Sequence, residues 1–165
     1  MDWYALFVKT GKEELVQELL RIYFNESVLI SVNARRKITE RSGGIIRHIL
    51  KKMFPGYIFI RTNMNIETYD KLKSIPGIIR LLNTGNYYTK IDAEEMSYIL
   101  KLLDNDGVVD YSKFCIHNSK IIVKSGPLKG MEGLILEVDK RKNRVKINLN
   151  FMGLPKKIDL GMELL

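Results

Sequence analysis

Disulfides, zinc centres and membrane spans are all poorly supplied for in this chain. Its single cysteine, Cys115, excludes an internal disulfide and fits a reducing cytoplasm. Its two histidines, His48 and His117, stand far apart, which argues against a zinc site. Apolar runs are only a few residues long, as in Ala5-Leu6-Phe7-Val8, too short to span a bilayer. The opening Met1-Asp2-Trp3-Tyr4 has no basic region followed by a long apolar one, so no secretory signal is expected. The glycines of Gly126-Pro127-Leu128-Lys129-Gly130 lack the Gly-Lys-Ser/Thr ending of a phosphate loop, and no helix pattern follows them. No nucleophile–base pairing is identified, and Glu13-Glu14 is accounted for by a helix N-terminus. No catalytic residue, metal or cofactor is therefore assigned, and the chain is read as a non-enzyme.

What is present is apolar material for a core and an excess of positive charge. Apolar residues make up 45% of the 165 residues, enough for one medium domain or two small ones. The formal net charge is +8, which favours an anionic partner, most simply nucleic acid. Residues 1–103 hold 16 basic and 11 acidic side chains, residues 104–117 hold 1 and 3, and residues 118–165 hold 10 and 5. The middle stretch, from Asp104 to His117, loses helical periodicity and gathers turn formers. It reads as a short linker packed in part through Val108, Val109 and Phe114, or alternatively as a surface loop.

Within residues 1–103 strands and helices alternate. Trp3–Val8 has strand character, and Thr10-Gly11-Lys12-Glu13 has the spacing of a capping box ahead of an amphipathic helix over 12–24. Val28–Val32 reads as a strand. A basic excursion from Arg35 to Lys52 follows, either a long hairpin or a flexible flap. Met53–Ile60 is a strand opening on a Pro-Gly turn. Ile66, Tyr69 and Leu72 mark a second helix that exits at Pro76-Gly77. Ile78–Leu82 is a further strand, and Asp92 with Glu95 caps a third helix. This order gives an α+β architecture, an antiparallel sheet with helices on one face. Residues 118–165 carry no helix signal. Their four or five short strands can bury their inner faces only by curling into a small all-β barrel.

Phe54-Pro55-Gly56-Tyr57 and the opening Trp3-Tyr4 resemble the NusG family of transcription elongation factors. Ser125-Gly126-Pro127-Leu128-Lys129-Gly130-Met131-Glu132-Gly133, with Val138-Asp139 after it, resembles a KOW motif, the glycine-rich hairpin of that family's SH3-like barrel. In order and spacing these features cover nearly the whole chain. Within the family, Tyr4–Glu14 is most similar to the specialised paralogue branch LoaP. The resemblance implies an NGN-like polymerase-binding domain over 1–103, a linker over 104–117 and a KOW barrel over 118–165. It also implies a cytoplasmic, monomeric processive antitermination factor that holds RNA polymerase and reads a leader RNA hairpin.

Candidate sites follow from these two domains. Aromatics fall on both faces of the first sheet, more than helices on one side need, and a leftover apolar face marks a protein interface. The resemblance places Tyr4, Phe7, Phe54, Tyr57 and Phe59 at positions that dock on the polymerase clamp helices; the alternative is that all five are core. Strand alternation sets Phe54 and Tyr57 on opposite faces unless the Pro-Gly turn resets the register. In the barrel, Lys140, Arg141, Lys142 and Arg144 cluster at one hairpin end, with Lys124, Lys129, Lys156 and Lys157 on neighbouring turns and strands. With few exposed aromatics beside them, they suit a structured RNA hairpin better than stacked single-strand bases. A second basic group, Arg35, Arg36, Lys37, Arg41, Arg47, Lys51 and Lys52, could touch non-template DNA of the transcription bubble or extend the RNA surface. Met152, in Phe151-Met152-Gly153, replaces the phenylalanine with which the resembling family reaches ribosomal protein S10 or Rho. That replacement argues against both partners and for a barrel turned to RNA, although Phe151 could shift into the role. Two further readings stay open: a general NusG-type factor coupling polymerase to ribosome or Rho, and a ribosomal or assembly protein whose KOW barrel holds rRNA.

Overall fold

The computed structural model describes residues 1–84 and 87–165. In chain order it contains β1 (Asp2–Val8), α1 (Glu13–Tyr23), β2 (Leu29–Val32), β3 (Arg35–Ser42), β4 (Ile45–Lys52), β5 (Tyr57–Thr62), α2 (Ile66–Lys73) and β6 (Ile78–Leu81). The short β7 (Asn83–Thr84) and β8 (Tyr87–Tyr88) pair with each other ahead of α3 (Ala93–Leu102). Then come β9 (Val108–Val109), β10 (Ser112–His117), β11 (Lys120–Ser125), a 3-10 turn (Glu132–Leu134), β12 (Ile135–Asp139), β13 (Arg144–Phe151) and β14 (Leu154–Leu164). The chain divides into two compact units, Met1–Ala34 with Phe54–Met96, and Arg35–Met53 with Ser97–Leu165.

The first unit is built on an antiparallel sheet in the order β2-β5-β1-β6. Alternation along β1 and β5 sends Tyr4, Leu6, Val8, Ile58 and Ile60 to one face, where Val16 and Leu20 of α1 and Leu72 of α2 bury them in one cluster. The helix starts are held by side chains, as helix ends require. Asn65 accepts a hydrogen bond from the Thr68 amide at 2.8 Å to open α2, a cap the sequence reading did not single out. Asp92 accepts from the Glu94 and Glu95 amides at 2.9 and 3.2 Å to open α3, as expected. At α1 the expected capping box is only half made. Lys12 occupies the cap without a side-chain bond, while the Glu13 carboxylate accepts from the Gly11 amide at 2.6 Å. Gly11, at φ +89°, turns the chain so that this amide rather than the threonine meets the helix.

The second unit holds a curled sheet in the order β11-β10-β14-β13-β12. Its inner face is Phe114, Val123, Val145, Ile147, Leu149, Phe151, Ile158, Leu160 and Met162, all buried. The stretch expected as a linker supplies structure of its own. Asp104 accepts from the Asp106 and Val108 amides at 2.8 and 3.0 Å, which makes the tight turn before β9. Ser112 and Phe114 are buried on either side of exposed Lys113, the alternation of a half-buried strand, so β10 enters the barrel sheet beside β14.

The basic excursion is a hairpin, β3 against β4, in continuous register from Arg35↔Lys52 to Ser42↔Ile45 around Gly43-Gly44. It belongs to the second unit: β9 lies parallel to β3, and β3 packs on β14. The Arg36 guanidinium donates to the Asp159 carbonyl at 2.5 Å, and the Arg144 guanidinium to the Thr39 carbonyl at 3.3 Å. The Tyr111 hydroxyl lies 2.8 Å from His48 Nδ1 and 3.2 Å from Thr39 Oγ1. This membership reassigns the charge. The second unit carries 19 basic against 9 acidic residues and the first 8 against 10, so the excess positive charge of the molecule sits on the second unit.

Candidate functional site

The face of the first sheet away from α1 and α2 is written by register. Arg80, Phe7 and Tyr57 form one cross-strand row, Ala5, Phe59 and Val32 the next, and Trp3, Arg61 and Ile30 the third. The middle row is closed: Ala5 and Phe59 are buried, at 0% and 1% exposure. The Phe54 ring stands edge-on to Phe59 at 5.4 Å between centroids. Gly56, at φ +83°, breaks the alternation between Phe54 and Tyr57, so the Pro-Gly turn does reset the register and brings Phe54 onto the Phe59 side. Of the five aromatics assigned to docking, three are therefore interior. Tyr4 lies in the helix-covered core, where burial pushes its hydroxyl above the ordinary tyrosine value, while Phe54 and Phe59 are buried on the opposite face, in the row next to Phe7 and Tyr57.

Phe7 and Tyr57 remain at the surface. They are half-buried, their centroids 5.4 Å apart with planes tilted by 53°, an ordinary favourable aromatic pair. The Arg80 guanidinium lies 5.8 Å from the Phe7 centroid, within cation–π range. The result is a small apolar ledge with a cation at its rim. Arg80 was not foreseen, although its place opposite Phe7 is what an antiparallel β1–β6 pairing dictates.

On the second unit the two basic groups, remote in sequence, meet. Thr39, Glu40 and Arg41 on β3 and Arg141, Lys142 and Arg144 at the β12–β13 turn line one cleft of about 550 Å³. Glu40 is the only carboxylate among these lining residues, and Lys51 holds it at 2.7 Å. The hydrogen bond from Lys51 keeps the Glu40 carboxyl below the ordinary glutamate value. Beneath the cleft Arg36 and Arg144 converge on Asp159: Arg144 Nη1 lies 3.9 Å from its carboxylate, and Arg36 donates to its carbonyl. Burial lowers the Arg36 pKa, opposed by Asp159 and reinforced by the like charge of Arg144.

The other assigned basic residues divide. Arg35 donates to the Asp106 carbonyl at 3.0 Å, and Lys37 pairs with Asp110 at 3.3 Å, so both fasten the hairpin base. Arg47 is exposed on β4, and Lys52 is half-buried at its end. Lys124, Lys129, Lys140, Lys156 and Lys157 are exposed, and none lines the cleft. Phe151 is buried in the barrel and does not shift outward. Met152 takes a left-handed φ of +53° at the β13–β14 turn and is half-buried, beside Leu154 at 64% exposure. Cys115 and His117 share one face of β10 as residues i and i+2, roughly 7 Å apart along the strand and outside hydrogen-bond reach. Among the described residues no helix is long and apolar enough to cross a membrane. No group of three metal-ligating side chains occurs among them either.

Comparison with known proteins agrees with this architecture. Residues 1–100 match the family described as transcription termination factor nusG, and residues 118–148 match the KOW motif. Transcription termination/antitermination protein NusG of Rickettsia felis is 28% identical, covering 98% of this chain and 88% of that one. Its counterpart in Haemophilus influenzae is 27% identical over 96% and 89%. The protein from Helicobacter pylori strain 26695 is 22% identical over 93% and 90%. A solved structure of Thermotoga maritima NusG, concerned with the interaction of its domains, matches with a TM-score of 0.61. It is 23% identical and covers 97% of this chain and 93% of that one, a likeness of fold. The chain belongs to the NusG family and is a transcription termination/antitermination factor of the NusG type.

Proposed function

We propose that this protein is a processive antitermination factor of the LoaP kind, monomeric and cytoplasmic, which rides on RNA polymerase through its first unit and grips a leader RNA hairpin through its second. The observation that carries the polymerase contact is the Phe7–Tyr57 ledge, an apolar surface on a sheet face that α1 and α2 leave uncovered. An apolar ledge of this kind can receive a side-chain ridge of a helical hairpin such as the polymerase clamp, and Arg80 at the rim suits an acidic side chain on it. Tyr4 packs behind the sheet and Phe54 and Phe59 are buried beside the ledge, setting it in place. The buried Phe151 supports a barrel that has given up the aromatic tip used toward ribosomal protein S10 or Rho.

In pull-down of polymerase, Tyr57→Ala is expected to weaken binding by about tenfold to a hundredfold, the worth of roughly 1.5–3 kcal/mol for one aromatic ring. Thermal unfolding should shift only modestly, because the ring is half-exposed. Unchanged polymerase binding in the folded variant overturns the ledge. A transcription run-through assay on a terminator template, with and without a leader, separates antitermination from general elongation.

One observation favours the second reading, a general NusG-type factor coupling polymerase to ribosome or Rho. Met152 and the exposed Leu154 leave the β13–β14 tip apolar, and methionine fills pockets readily. Binding of ribosomal protein S10 or Rho that is lost in Met152→Ala selects that reading; no binding selects the first.

A further inference from the structure

We propose that the β3–β4 hairpin and the β12–β13 turn act as one clamp on the phosphodiester backbone of double-helical RNA, with Arg41 on one rim and Arg141 and Lys142 on the other. This rests on the RNA-hairpin reading above and gives it a site that the barrel alone does not contain. The first support is electrostatic. Among the described residues no ion pair engages Arg41, Arg141 or Lys142, while the one carboxylate of the lining is held by Lys51. The Asp139 carboxylate of the same turn accepts from the Lys142 amide at 3.0 Å, so the cations outnumber the carboxylates near this concave surface, where potentials from both rims add.

The second support is mechanical. The hairpin is not free to swing from the barrel, because Arg36, Arg144, Thr39, His48 and Tyr111 tie it across. The Nε atoms of Arg36 and Arg144 are buried without a hydrogen-bond partner among the described residues. Among the described residues the one ion pair of Arg144 is with the Asp159 carboxylate at 3.9 Å, while Arg36 bonds that residue's backbone carbonyl, so two half-buried guanidiniums stand beside a single acid. A phosphate held against Arg144 would supply a second counter-charge to this pair.

The third support is what the lining lacks. It has no aromatic residue, and so no platform for unpaired bases. Two cationic rims facing each other fit a ligand with phosphates on both sides, as a paired stem presents them.

The test uses the full chain and three probes: an RNA stem-loop with a fully paired stem, the same RNA strand unable to pair, and a DNA hairpin of the same sequence. Affinity is measured against salt. The stem-loop is expected to bind tightest. Arg41→Ala and Lys142→Ala should each weaken it and lower the slope of log K against log salt by about one, and the double variant by about two. Lys120→Ala, exposed at the start of β11 and outside the cleft lining, should leave the slope unchanged. If Lys142→Ala lowers the slope and Arg41→Ala does not, the clamp is wrong while RNA binding by the barrel stands. Equal or tighter binding of the DNA hairpin or the unpaired strand overturns the double-helical RNA assignment. If wild type binds none of the probes, the clamp and the RNA reading fail together.

Discussion

Alanine at position 161 is expected to loosen the hairpin from the barrel and to destabilise the second unit by about 1–3 kcal/mol, the usual cost of forcing a methyl group into filled space. Gly161 lies on β14 where β3 crosses it. A Cβ there would stand against the Lys37 carbonyl and 2.5 Å from the Tyr111 ring, closer than atoms approach. Neither obstacle yields easily. The carbonyl belongs to the backbone of a paired strand, and the Tyr111 ring is anchored through its hydroxyl to His48 and Thr39. No positive φ is involved, so the requirement is closeness alone. Chemical denaturation should show a lower midpoint for the second unit. The salt slope of RNA binding in Gly161→Ala should fall toward that of Arg41→Ala, because a displaced hairpin no longer offers its arginine. A variant as stable as wild type, with an unchanged slope, contradicts the seating of the hairpin described here.

That seating explains why part of the molecule could be read from its sequence and part could not. Local patterns were legible. The spacing of Val16 and Leu20, the alternation of Val145, Ile147 and Leu149, and the carboxylate of Asp92 ahead of α3 each specify structure within a few residues. The Asn65 cap was equally local, and Asn65-Ile66-Glu67-Thr68 carried its signal. The hairpin was different. Its charges were plain, but Arg36 meets Asp159 across 123 residues of chain. Nothing in the periodicity of β3 says whether its buried side faces the sheet it interrupts or the barrel that follows. Reading along the chain therefore divided the positive charge between two domains, whereas packing gathers it on one. The linker was misleading for a similar reason: Asp104-Asn105-Asp106-Gly107 is a true turn, and the strand behind it is marked only by Ser112 and Phe114.

The aromatic residues carry the sharpest contrast, and they set the largest expected effect. Phe59→Ala should cost about 3–5 kcal/mol, the range for emptying a fully buried phenylalanine site. Phe59 is among the largest fully buried side chains, with Ala5 and Val32 in register beside it and Phe54 edge-on. Because the ring faces no solvent, it can contribute to polymerase docking only by holding in place the ledge beside it. Polymerase binding per folded molecule, measured at low temperature with the folded fraction taken from near-ultraviolet circular dichroism, should therefore change far less in Phe59→Ala than in Tyr57→Ala. Stability should follow the opposite order. A Phe59→Ala protein that stays stable yet loses polymerase would mean that the ring works at the surface and that the ledge extends inward past Tyr57. The two residues stand two apart on β5, so alternation puts them on one face, and no periodicity separates them. What does is depth. Val32 of β2 lies beside Phe59, whereas Tyr57 lies beyond the β2 pairing and is left half-open.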